Sequence, residues 1–148
     1  MSFICTTYCP EGIAMSADSR MTLNSQRQVE ANLREVISVT SSNASQKITI
    51  LKQKFGISFC GDALINNQPI MGFVVRFEQE VLTDEIEITQ VPNLILEYFR
   101  QINPNSNIIF HLAGYGIENN LKVPFCYHIE TNRNIFNRLN VDPAGNVR

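Results

Sequence analysis

The chain has 148 residues, enough for one compact domain with a hydrophobic core and too few for two domains of ordinary size. Hydrophobic residues make up 44% of it and charged residues 18%, a balance typical of globular proteins. The net charge of −2, without any cluster of Lys and Arg, argues against a nucleic acid partner, because neutralising several phosphates requires a local surplus of positive charge.

The apolar runs, such as Ile108-Ile109-Phe110, are too short to cross a membrane, which takes about 20 residues of helix. The N-terminus lacks the charged flank and apolar stretch of a secretory signal. We therefore expect no membrane partner and a cytoplasmic location, where the four cysteines stay reduced. Three of these cysteines lie in apolar stretches and are predicted to be core thiols: Cys5, Cys60 and Cys126.

A β-hairpin is predicted at the start of the chain. Residues 3–8 and 13–17 are rich in β-forming side chains, and Pro10 and Gly12 between them suit a tight turn. The segment that follows, residues 24–46, is polar and rich in Ser and Asn. Four apolar residues within it keep some spacing, which indicates a partly ordered segment rather than a linker: Val29, Leu33, Val36 and Ile37.

Apolar residues recur at helical spacing in two places. Residues 70–81 do so after Pro69, a good first-turn residue, and residues 91–102 do so ahead of Asn103-Pro104-Asn105, which predicts the end of a helix. The remaining strands are predicted at residues 48–51, 56–60, 107–113, 123–130 and 134–139. The order of four strands, two helices and three strands indicates a layered α+β domain in which the helices cover a sheet.

The second residue is a candidate nucleophile. Ser2 follows Met1, and a small second residue normally allows the initiator Met to be removed. Ser2 would then carry both a hydroxyl and a free α-amine, whose pKa of roughly 8 lets it accept a proton near neutral pH. An N-terminal hydroxyl residue whose own amine acts as the base is a known way to activate a weak nucleophile.

A series of motifs gives this serine a context. Residues 12–20 form an apolar strand that ends in Asp18 and Arg20, and the spacing of these two from Ser2 resembles that in proteasome β-subunits and their bacterial relatives. Later segments resemble further motifs of the same family, in order along nearly the whole chain: residues 47–51, 55–63, 111–116 and 127–129. The chain is therefore similar to N-terminal nucleophile (Ntn) hydrolases of the proteasome β-subunit type.

This resemblance implies a fold and a mechanism. The fold would be a single Ntn-hydrolase domain over residues 1–148, an αββα sandwich that is incomplete at its C-terminal end. The activity would be that of a peptidase or amidohydrolase with Ser2 as the nucleophile after removal of the initiator Met. Lys47 would favour the deprotonated hydroxyl by its charge, and Asp18 would hold Lys47 in place and favour its charged form. Gly61 would present its backbone N–H to the oxyanion.

The same resemblance implies roles for residues around the site. Phe59 and Ala63 would border the pocket for the substrate side chain, and Arg20 would be structural, pairing with nearby acids or carbonyls. Peptide or amide substrates are implied, as is self-association of the chain into rings or stacked homo-oligomers. No cofactor or metal ion is implied, and Cys5 and Cys9 have no second pair at the spacing of a zinc site.

Two features depart from the family pattern. Twenty-eight residues, 19–46, separate Asp18 from Lys47, more than in typical β-subunits, although lengthening a loop costs little free energy. Residues 141–146 have the composition of a turn that leads to a further segment. The second helical layer of the family has no counterpart before Arg148. We therefore expect a truncated or atypically short homologue.

Three alternative functions remain open. A catalytically inactive, proteasome-like structural or assembly subunit would keep the fold without the reaction. A small-molecule binding module on a different α+β fold would make the ordered motifs coincidental. A Cys/His protease would need Cys9 or Cys126 to meet His111 or His128.

Overall fold

The computed structural model describes residues 2–9, 11–30, 33–142 and 145, with the backbone alone over residues 24–30 and 33–35. In chain order the elements are β1 (Ile4–Cys9), β2 (Gly12–Ala17), β3 (Met21–Glu30), β4 (Leu33–Ser42), β5 (Ile48–Leu51), β6 (Phe55–Gly61), β7 (Leu64–Ile65), β8 (Gln68–Pro69), α1 (Ile70–Glu80), α2 (Val91–Ile102), β9 (Ile108–Glu118), β10 (Leu121–Glu130) and β11 (Ile135–Arg138). The predicted α+β class is confirmed.

Five of the strands form one antiparallel sheet in the order β11-β10-β9-β6-β5. Successive side chains of a strand point to opposite faces, and the odd-numbered residues of β6, Phe55, Ile57 and Phe59, are all buried on one face. The even-numbered residues of β6 lie on the other face, directly across from β9 residues such as His111. The sheet therefore has one apolar face and one face of mixed polarity.

Helices α1 and α2 cover the apolar face. Their buried residues recur at three- and four-residue spacing, which gathers them into one stripe on each helix. These residues are Ile70, Phe73, Val74 and Phe77 in α1, and Val91, Pro92, Ile95, Leu96 and Phe99 in α2. The ring of Phe99 lies 4.9 Å from the ring of Phe110 in β9, so helix and sheet share one core. Burying each such side chain stabilises the fold by about 1.5–3 kcal/mol.

The ends of the helices follow from proline. Pro69 is the N-cap residue of α1, one position before the first turn in which it was predicted. At the end of α2, Asn103 is extended with φ of −156°, because the residue before Pro104 is sterically excluded from helical conformation. No helix among the described residues is both long and apolar enough to span a membrane.

The β1–β2 hairpin lies on the opposite face of the sheet from the helices. Its strands are antiparallel as predicted, with Cys9 paired to Gly12 at the turn. Close contact with the sheet is possible because Gly56 in β6 has no side chain: a Cβ there would lie 2.5 Å from the sulfur of Met15. On the neighbouring strand, Thr6 Oγ1 lies 3.1 Å from His111 Nδ1. The hairpin thus packs on β6 and β9.

A pair of histidines lies on this face of the sheet. The rings of His111 and His128 are 5.4 Å apart, and His128 Nε2 lies 3.3 Å from a Glu130 carboxylate oxygen. Burial lowers the pKa of His111 below its ordinary value of 6.5, and the adjacent His128 lowers it further. The folded protein therefore favours neutral His111, whose ring meets the hydroxyl of Thr6 on the strand that follows Ser2.

We expect acidification from pH 7.5 to 5 to destabilise the protein through His111. Because its pKa is lower in the folded chain, the unfolded chain binds the proton first, so stability present above about pH 6.5 is lost as the pH falls towards the folded pKa. Urea unfolding at a series of pH values measures this. The variant His111→Asn, whose amide can still bond Thr6, should show a flatter pH dependence; an unchanged slope would remove His111 from the explanation.

The segment predicted to be partly ordered instead forms a long β-hairpin, β3–β4, with strands of ten residues each. Its register shifts between Met21 and Thr22 and again between Gln28 and Glu30. The apolar residues Leu23, Val36, Ile37 and Val39 are exposed. The described part of the hairpin is not half-buried, so its sequence lacks the alternation by which a strand is predicted. The prediction of partial order was wrong for this reason.

Candidate active site

The structure brings Ser2, Asp18 and Lys47 together at one end of the β1–β2 hairpin. Ile4 pairs with Ala17 in that hairpin, and the residues just outside this pair, Phe3 and Asp18, bond to each other at its open end, which places Ser2 beside them. Lys47 immediately precedes β5, and its Nζ donates hydrogen bonds to Ser2 Oγ at 3.1 Å and to the two Asp18 oxygens at 3.0 and 3.1 Å. The ammonium therefore bridges the hydroxyl and the carboxylate.

The Asp18 carboxylate organises the surrounding backbone. One oxygen accepts the N–H of Phe3 at 2.8 Å, and the other accepts the N–H of Arg20 at 3.2 Å. The N–H of Asp18 in turn donates to the carbonyl of Phe3 at 3.0 Å. Partial burial raises the pKa of Asp18, but the hydrogen bonds from Phe3, Lys47 and Arg20 and the charge of Lys47 outweigh it and hold the pKa below its usual value. Asp18 is therefore ionised at neutral pH.

Lys47 is the buried cation of this group, with 7% of its surface exposed. Besides Ser2 and Asp18, its ammonium donates to the backbone carbonyl of Arg20. These acceptors restrict the ammonium to one position beside the hydroxyl. A fixed positive charge at this distance stabilises an alkoxide relative to the neutral hydroxyl, which makes Ser2 a better nucleophile.

Ser2 opens into a cavity of about 660 Å³ between the hairpins and the start of α1. The residues that line it are Ser2, Arg20, Met21, Thr22, Ser42, Ala44, Ser45, Gln46, Lys47, Phe59, Cys60, Gly61, Asp62, Ala63, Pro69, Ile70 and Met71. This volume suits a small organic group or a short peptide side chain. Six of the seven residues predicted for the site are on the wall of this cavity, and the seventh, Asp18, is bonded to Lys47.

Gly61 has a conformation that only glycine adopts without strain. Its φ is +107°, and a Cβ there would lie 2.2 Å from the backbone oxygen of Asn107. The peptide of the next residue is fixed by Asp62, whose N–H donates to Asn107 O at 2.9 Å and whose carboxylate accepts the Asn107 N–H at 2.7 Å. Gly61 thus gives the cavity wall a rigid backbone turn without a side chain.

The two residues predicted to border the substrate pocket, Phe59 and Ala63, differ in how much of their surface is exposed. Phe59 touches the cavity but is only 6% exposed, because its ring lies 6.1 Å from that of Phe110 in the core. Ala63 is partly exposed and leaves room at the cavity wall. The cavity is therefore closed at one side by the protein's own core.

Arg20 behaves differently from the prediction. Its backbone N–H and carbonyl are bonded to Asp18 and Lys47, but its side chain is exposed, and no acid or carbonyl of the described residues pairs with the guanidinium. The predicted side-chain pairing is not found among the described residues: the contacts of Arg20 with Asp18 and Lys47 are made by its backbone, and its side chain lies at the cavity wall.

Cys60 was predicted to be a core thiol but lines the cavity instead. It lies on the face of β6 opposite to Phe59, towards the β1–β2 hairpin, and alternation along the strand would have indicated this. Burial raises the pKa of the Cys60 thiol; the charge of Lys47 opposes this rise and that of Asp18 adds to it. The thiol is therefore protonated at neutral pH and a poor nucleophile.

Among the residues that the structure describes, neither Cys9 nor Cys126 is hydrogen-bonded to a histidine, as the Cys/His protease alternative would require. Cys9 is exposed and its sulfur donates to the carbonyl of Gly12 at 3.6 Å, while Cys126 is buried with 1% exposure. His111 is instead bonded to Thr6, and His128 lies beside Glu130. Residues 2–9, 11–30, 33–142 and 145 also contain no group of three or more His, Cys, Asp or Glu residues arranged to hold a metal ion.

The site can thus be defined by contacts rather than by motif: the hydroxyl of Ser2, a buried ammonium bonded to it, and a carboxylate that anchors the ammonium. The hydroxyl and the ammonium line a cavity whose wall also includes the turn at Gly61. Comparison of the chain with models of known protein families, with curated proteins and with solved structures finds no match.

Proposed function

We propose that this protein is a proteasome-like N-terminal nucleophile hydrolase, which cleaves peptide or amide bonds through Ser2 once Met1 has been removed. The observation that carries the proposal is the 3.1 Å hydrogen bond from Lys47 Nζ to Ser2 Oγ, with Lys47 held in turn by Asp18 at 3.0 Å. A buried ammonium fixed against the hydroxyl of residue 2 has an evident use in making that hydroxyl nucleophilic.

The reaction would proceed in two halves. In the first, Ser2 Oγ attacks the carbonyl carbon of the substrate, and its proton passes to the free α-amine of Ser2. The carbonyl oxygen becomes an oxyanion near the backbone of Gly61, where a single donor in comparable sites is worth about 10²–10³ in rate. Collapse breaks the C–N bond; the leaving amine takes the proton, and an ester to Ser2 remains.

In the second half, a water molecule gives a proton to the α-amine and attacks the ester carbonyl. The intermediate collapses, the acid product leaves, and the proton returns to Ser2 Oγ. Lys47 and Asp18 keep the same charges throughout, since neither needs to exchange a proton in this scheme. No cofactor or metal ion is required by any step.

The proposal extends to architecture. A five-stranded sheet faced by helices on one side and by the β1–β2 hairpin on the other is compatible with part of an αββα sandwich. Self-association into a homo-oligomer is part of the same proposal. Exposed apolar residues on the β3–β4 hairpin, including Val36 and Val39, support an assembly role; assembly without catalysis, as an inactive structural subunit, is the second candidate function.

Mass spectrometry on the protein as produced in cells separates the two candidates. We expect Met1 to be absent and an electrophilic acylating probe to add once, at Ser2. The variant Ser2→Ala should give no adduct, while Ser16→Ala, an exposed hydroxyl on β2, should react like the parent. A retained Met1, an acetylated N-terminus, or an adduct elsewhere would exclude N-terminal nucleophile chemistry and leave the assembly role.

A further inference from the structure

The charges around the cavity are unevenly compensated. Three charged residues line it: Arg20, Lys47 and Asp62. The charge of Lys47 is balanced by Asp18 at 3.0 Å, and the Asp62 carboxylate accepts a backbone hydrogen bond from Asn107 at 2.7 Å. Among the described residues, only the guanidinium of Arg20 on this wall has neither an ion pair nor a hydrogen bond.

The position of Arg20 relative to the nucleophile is fixed. Its N–H donates to Asp18 Oδ2 at 3.2 Å, and its carbonyl accepts from Lys47 Nζ, the atom that also bonds Ser2 Oγ. Both anchors are backbone groups, so the side chain is free while its Cα is held beside the reacting centre. Because Ser2 and Arg20 line the same cavity, one small molecule in it can contact both the hydroxyl and the guanidinium.

We propose that this cavity selects acyl groups that carry a carboxylate a few atoms from the scissile carbonyl, and that the Arg20 guanidinium binds this carboxylate. The inference rests on the proposed function. A guanidinium presents two parallel N–H donors that match the two oxygens of a carboxylate, and such charge-assisted pairs are about twice as strong as neutral hydrogen bonds. Monoamides and monoesters of short dicarboxylic acids have the required chemistry.

A substitution of Asp62 tests the proposal that Arg20 binds a carboxylate. Its carboxylate also borders the cavity and would repel a bound anion. The variant Asp62→Asn keeps an oxygen that can accept the Asn107 N–H, and it removes the negative charge. Its rate with an anionic acyl group should therefore rise, by about 2- to 5-fold for a single exposed charge, while its rate with a neutral group changes less.

The test uses two activated esters of the same length and shape, 4-carboxybutanoyl and its neutral carboxamide analogue, 4-carbamoylbutanoyl. Formation of the acyl-Ser2 product is followed by intact mass. We expect the charged ester to react about 10- to 100-fold faster, and Arg20→Gln to abolish this preference. Arg100→Gln, an exposed arginine on helix α2, is the matched control and should preserve the ratio.

Binding of glutarate itself, followed by NMR, separates this inference from the proposed function. Acylation of Ser2 by both esters at equal rates in parent and Arg20→Gln overturns the carboxylate site and keeps the hydrolase. Absence of acylation with glutarate binding that depends on Arg20 supports the carboxylate site and overturns the hydrolase. If neither ester reacts and glutarate does not bind, both are wrong.

Discussion

Replacing Lys47 by methionine is expected to slow acylation of Ser2 by about 10²- to 10⁴-fold, the range over which a positioned acid–base or electrostatic group contributes to rate. Methionine has a similar length and fills the buried volume, so the change removes mainly the charge. The Ser2 hydroxyl would lose its 3.1 Å donor, and the Asp18 carboxylate would lose its only cationic partner among the described residues. The rate is measured as the pseudo-first-order formation of the acyl adduct.

Measuring the free energy of unfolding of Lys47→Met separates a catalytic effect of this substitution from a structural one. Removing one partner of a fully buried ion pair costs about 3–5 kcal/mol, but Asp18 is 28% exposed, so we expect roughly 1–3 kcal/mol. The double variant Asp18→Asn, Lys47→Met leaves no unpaired charge and should recover part of that stability without recovering acylation. Recovery of acylation in the double variant would mean that Lys47 serves only to neutralise Asp18.

Replacing Gly61 by alanine is expected to be the most destabilising single change near the site, by more than about 3 kcal/mol. The φ of +107° is strained for any residue with a side chain, and the new Cβ would lie 2.2 Å from the backbone oxygen of Asn107, which cannot move as a flexible side chain could. Relief of this clash would separate the ends of β6 and β9 and displace the cavity wall.

Gly72 provides the matched control for that experiment. It lies in the first turns of α1, and a Cβ there meets no other atom within 4 Å. Gly72→Ala should therefore stabilise the protein by about 0.5–1 kcal/mol, the usual difference between the two residues in a helix. Urea unfolding of both variants measures the contrast. Equal effects of the two substitutions would show that neither backbone geometry nor the contact with Asn107 matters.

The elements that pack on the core were predictable from sequence, and those that do not were missed. Residues 70–81 and 91–102 repeat apolar side chains at helical spacing because one side of each helix is buried, as Phe77 and Phe99 illustrate. The β3–β4 hairpin has exposed apolar residues instead, such as Val39. Periodicity follows burial, so a hairpin whose described apolar side chains are exposed gives no periodic pattern from which a strand could be predicted. The order of the strands within the sheet could not be predicted either, because it depends on pairing between residues that are far apart in the chain.

For the site, the resemblance to proteasome β-subunits implied which residues meet but not how they are oriented. Ser2, Asp18 and Lys47 lie together because the ends of two hairpins converge, and the motifs indicated those ends. The direction in which Arg20 extends depends on the turn after β2, which no local pattern specified. Cys60 was misassigned because an apolar strand was read as buried on both faces. The face towards the β1–β2 hairpin is only partly covered.

The Asp18 carboxylate joins the backbone of Phe3 to the ammonium of Lys47, a residue 29 positions further along the chain. In the proposed mechanism, the reactivity of the Ser2 hydroxyl therefore depends on the finished tertiary structure. A nascent or unfolded polypeptide has the serine but no ammonium beside it, so the proposed attack on an amide would not be assisted there. Folding would then separate synthesis of the chain from the onset of the proposed hydrolysis.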